Sequence, residues 1–62
     1  MNKDGLVRLM PGIYTDDRGW VCVDMHEFLT AHGIPDNLLA RLLAWQNLFA
    51  EFPDVRVYEI GD

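Results

Sequence analysis

The chain predicts a small α+β fold: a β-hairpin, a short helix, a long helix and a C-terminal strand (ββααβ), with an antiparallel sheet packed on the helices. Three observations predict it. Two short runs of aromatic and β-branched residues flank the polar loop Asp16-Asp17-Arg18-Gly19. Apolar residues recur at helical spacing from Leu38 to Phe52. A last strand-like run, Val55 to Ile60, follows the breaker Pro53-Asp54.

Taken in order, residues 1–4 are expected to fray. Leu6 to Met10 is compatible with a third strand or an arm, and it stops at the turn dipeptide Pro11-Gly12. Ile13-Tyr14-Thr15 and Trp20-Val21-Cys22-Val23 form the hairpin. Asp24 is placed to cap the short helix, with Glu27 three residues later reaching back to the cap as in a capping box. Met25, Phe28, Leu29 and His32 make that helix's apolar face, and Gly33 supplies its left-handed end. Pro35 fits the first position of the long helix, and Asp36 lies well against the positive end of its dipole.

On the long helix, Leu38, Leu42, Trp45, Phe49 and Phe52 fall within an arc of about 80° and are expected to face the core. Leu39, Leu43 and Ala50 form a second stripe, and Leu48 a further shoulder, so the apolar arc widens to about 220°. In so short a chain, an arc this wide either fills with the chain's own elements or stays open as a contact surface. In the final strand Val55, Val57 and Glu59 share one side and Arg56, Tyr58 and Ile60 the other, as expected of an edge strand.

Composition bounds the chemistry. Sixty-two residues, half of them hydrophobic, make one domain that buries a modest core. The single cysteine, Cys22, permits no internal disulfide and fits a reducing compartment. Neither a signal peptide nor a membrane span is read, which makes the cytoplasm the default location. The net charge of −5, with the five cations scattered, opposes direct nucleic-acid binding. The helix pair around Gly33 does not read as a helix-turn-helix, because Arg41 is the second helix's sole cation.

Candidate catalytic groups are sparse. His26 and His32 lie six apart and point about 120° from each other on one helix, so with Cys22 and Asp24 they do not form a metal set. Cys22 sits before a helix start but within an apolar strand, where a buried, inert thiol is expected. His32 is expected to serve as a structural residue at its helix end, and His26 as a solvated one. No cofactor and no enzymatic activity are expected.

The expected function is that of a small acidic protein-interaction module, of the inhibitor, immunity or adaptor kind, binding a protein partner or a second copy of itself. Tyr14, Trp20, Leu39, Leu43 and Tyr58 are its candidate anchors, since a few aromatic and large side chains dominate most interfaces. The alternative is an acidic nucleic-acid mimic presenting Asp16, Asp17, Asp24 and Glu27 as its charged surface.

Overall fold

The computed structural model describes residues 4–61, so Met1, Asn2 and Lys3 of the end expected to fray lie outside the described residues. The elements are β1 (Val7–Met10), β2 (Ile13–Thr15), β3 (Val21–Val23), α1 (Met25–Ala31), α2 (Leu38–Glu51) and β4 (Val57–Glu59). The four strands form one sheet in the order β1-β2-β3-β4. The stretch before Pro11 is therefore a strand, antiparallel to β2.

The sheet is mixed, which corrects the expectation of an antiparallel one. β2 pairs antiparallel with β3, but β4 runs parallel to β3, with Val21 opposite Val57 and Cys22 opposite Tyr58. The cause is the connection. Both helices lie between β3 and β4, and a crossover of that length carries the chain back to start the next strand in the same direction.

Local chemistry explains the turns. Gly12 takes φ +87° between β1 and β2, and an added Cβ there would sit 2.6 Å from the Phe28 backbone, so the site has room for glycine alone. Between β2 and β3, Asp16 Oδ1 accepts from the backbone N–H groups of Arg18 and Trp20, a turn that the side chain closes by itself. Asp24 caps α1 by accepting from the Glu27 N–H. The helix ends with Ile34 N–H on the Leu29 carbonyl and Gly33 N–H on Thr30, around Gly33 at φ +70°. His32 occupies the C-cap position, its ring 4.5 Å from that of Phe28.

α2 begins later than expected. Asn37 is its N-cap, accepting from the Ala40 N–H at 2.9 Å, so Pro35 and Asp36 precede the helix. Asp36 instead grips Arg41 through two hydrogen bonds of 2.6 and 2.8 Å, and His26 Nδ1 lies 2.9 Å from the same carboxylate. Arg41 also reaches Glu59 at 3.2 Å. One guanidinium thereby ties α2 to the preceding loop and to β4.

Alternation along the strands separates two clusters. Ile13, Val21 and Val23 join Met25 and Leu29 of α1 and Ala44 and Leu48 of α2, with Phe28, Ala40, Trp45, Phe52 and Val57 packed around them. Tyr14, Cys22 and Ile60 form the other, with Leu6 and Tyr58 at its margin.

The inward side of α2 is not the expected one. Leu38, Leu42 and Phe49 are exposed, while Ala44 and Leu48 are buried and Trp45 and Phe52 half-buried. Helix packing distance depends on the side chains at the contact. Ala40 and Ala44 let the α2 backbone approach the core closely and seat Leu48 in it, whereas a leucine stripe in their place would hold the helix farther away.

Candidate functional site

The outward side of α2 is the most distinctive surface of the molecule. Leu38, Leu39, Leu42, Leu43 and Phe49 are exposed by 74, 67, 56, 52 and 54%, respectively. At helical spacing they cover about 140° of the helix, with Gln46 at the middle and Ala50 beside it. None of these seven side chains is charged. The charged residues of α2 are Arg41, drawn to Asp36 and Glu59, and Glu51 at the C-terminal end.

Leu39 and Leu43 also form one wall of a groove of about 480 Å³ between the two helices, with Phe28, His32 and Ile34 on the other wall. Its lining is mainly apolar, and its size matches that of a site receiving a few partner side chains.

The sequence-derived anchors do not converge. Leu39 and Leu43 lie together on α2. Tyr14, Trp20 and Tyr58 belong to the sheet side that carries Cys22. Tyr14 is buried, not exposed as an anchor requires, and its hydroxyl donates to Glu27. Trp20 is half-buried beneath two cations, with the Arg18 guanidinium 3.6 Å and the Arg56 guanidinium 4.8 Å from its ring centre. Leu48, counted with the open arc, is buried. The spacing of Leu38, Leu42 and Phe49 predicts core positions, and all three are exposed. Spacing reveals that a stripe is apolar without revealing which stripe the sheet covers.

The acidic residues do not share one setting. Asp24 is buried as the α1 cap, and the Asp16 carboxylate is 6% exposed and paired with Arg18. Glu27 is half-buried against Tyr14, and Asp17 is exposed. Four carboxylates that the sequence places near one another thus do not form a common charged surface.

Cys22 is fully buried, and its thiol donates to the Tyr58 hydroxyl at 3.0 Å. Tyr58 in turn donates to Asp16 Oδ2 at 2.9 Å, and Arg18 completes the chain from the other side. Burial pushes the Asp16 carboxyl up, but hydrogen bonds from the Trp20 amide, the Arg18 side chain, Tyr58 and the Arg18 amide outweigh it and hold its pKa at about 2. The bond to Cys22, burial and the bond to Asp16 push the Tyr58 hydroxyl up to about 12. Hydrogen bonds from Arg41 and His26 hold the Asp36 carboxyl well below the usual carboxylate range. These groups lock loops to strands, and no nucleophile among them faces solvent.

Among the described residues no helix is long and apolar enough to cross a membrane. No family model, characterised protein or solved structure matches the chain.

Proposed function

We propose that this chain is a small acidic protein-interaction module that holds a protein partner against the outward side of α2. Leu39 and Leu43 are the principal anchors, with Leu38, Leu42 and Phe49 extending the contact. The observation that supports this reading is the exposure of five large apolar side chains on one helix face. Together they present roughly 600 Å² of accessible surface, the upper end of the largest apolar patch on a typical monomer. Removing a leucine from water stabilises a complex by about 1.5–3 kcal/mol, so a partner covering several of them gains enough to offset the cost of association.

Trp20 and Tyr58 take a secondary place, because their rings are already held by Arg18, Arg56 and Asp16. The module works by shape and apolar contact, with its net negative charge supporting solubility away from the contact face.

Photo-crosslinking tests the reading. A photoreactive residue placed at Leu39 or Leu43 in cells expressing the chain is expected to give a polypeptide adduct, and the same group at exposed Thr30 on α1 is expected to give none. Absence of any adduct from α2 overturns the proposal.

A further inference from the structure

We infer that the partner on α2 is a second copy of this chain, bound with the two α2 helices antiparallel across a twofold axis. The inference rests on the reading of α2 as the contact face and names what occupies it.

Area is the first argument. A twofold pairing covers the same five side chains on each copy and removes about 1,200 Å² in total, the lower bound of a specific stable interface. The patch is therefore large enough to serve as a complete isologous interface.

Charge is the second. Two chains of net charge −5 repel each other, and they associate most readily through a face that carries no charge. The outward side of α2 is such a face. Arg41 is turned toward Asp36 and Glu59, and the seven outward residues are neutral. A basic partner would be met by carboxylates along this stripe, and the stripe holds none.

Pattern is the third. Leu39, Leu42, Gln46 and Phe49 follow the three-and-four spacing of a coiled-coil seam, with Leu38, Leu43 and Ala50 on its flanks. Gln46 is the one polar member of that seam. An axis level with Ala44 sets Leu39 of one copy opposite Phe49 of the other, Leu38 opposite Ala50 and Leu42 opposite Gln46, so that large residues meet small or flat ones and all five exposed apolar side chains are covered. A single polar residue in an apolar seam is also a known means of fixing register.

Sedimentation equilibrium of the purified full chain tests this. A dimer with a micromolar dissociation constant is expected. Leu42→Glu and Gln46→Glu are each expected to weaken association at least tenfold at neutral pH while helical circular dichroism is retained, because both positions are outside the core. The Gln46→Glu defect is expected to recover near pH 4.5, where the introduced carboxyl takes up its proton, and Thr30→Glu on α1 is expected to change nothing. A chain that stays monomeric into the hundreds of micromolar, or a dimer untouched by Leu42→Glu, overturns the inference. If a monomeric chain still crosslinks from Leu39 to a different polypeptide, self-pairing is refuted and the interaction module stands. If α2 gives no adduct at all, both fall.

Discussion

The Tyr58 hydroxyl on β4 donates to Asp16 Oδ2 at 2.9 Å, joining the last strand of the sheet to the loop between β2 and β3. Forty-two residues separate the two groups, and the same tyrosine oxygen accepts from the buried Cys22 thiol. The parallel strand is thus fastened by side chains as well as by its ladder.

Stability is expected to fall in acid partly through Asp16. Its folded-state pKa lies at about 2 against an ordinary 3.8, so its contribution is fully present above the ordinary value and is lost as pH falls through about 2. Asp36, also depressed, acts in the same direction. Urea midpoints measured from pH 5 downward are expected to drop in this window. Asp16→Asn is expected to flatten part of that slope, and an unchanged slope would contradict the role given to the carboxylate.

The alkaline limb has the opposite sign. The Tyr58 pKa is raised from 10.0 to about 12, so its contribution is fully present below the ordinary value and is lost as pH rises through the folded one. Titration by tyrosinate absorbance is expected to show a late transition near the upper value, coincident with loss of stability. Tyr58→Phe is expected to remove it.

Two leucines six residues apart on α2 are expected to behave in opposite ways. Leu48 is 2% exposed, and Leu48→Ala is expected to cost about 2–5 kcal/mol in urea denaturation. Leu42 is 56% exposed, and Leu42→Ala is expected to lie within about 0.5 kcal/mol of the parent when measured below the concentration of self-association. Equal losses would restore the inward stripe suggested by the spacing of leucine and aromatic residues.

Glycine substitutions are expected to separate conformational strain from steric conflict. Gly19 has φ +80° and nothing within 4 Å of an added Cβ, so Gly19→Ala is expected to cost about 1 kcal/mol, the left-handed penalty alone. Gly12 has a similar φ, but an added Cβ meets the Phe28 backbone at 2.6 Å. Gly12→Ala is expected to lower the melting temperature several-fold further, because the β1–β2 turn and α1 must move apart. Similar shifts for the two variants would show that the contact yields easily.

The sequence by itself determined the hairpin, the two helices and the last strand in their order, and left the stretch before Pro11 open between a strand and an arm. Gly33, the Asp24 cap and the loop from Asp16 to Gly19 act through contacts within a few residues, so their chemistry is complete in the local sequence. Tertiary structure alone decided the direction of β4 and which side of α2 turned inward, whereas the start of α2 at the Asn37 cap rests on a contact three residues away that the choice of Pro35 as first helical position passed over. Apolar residues surround so much of that helix that periodicity could not choose among its faces. The choice fell to close approach: Ala40 and Ala44 admit the neighbouring elements, and the leucines at 38, 39, 42 and 43 are left outside. The acidic residues followed the same logic. The Asp24 cap and the Asp16–Arg18 pair are local, whereas the Tyr58 bond to Asp16 and the Tyr14 bond to Glu27 depend on partners that only the folded chain brings near.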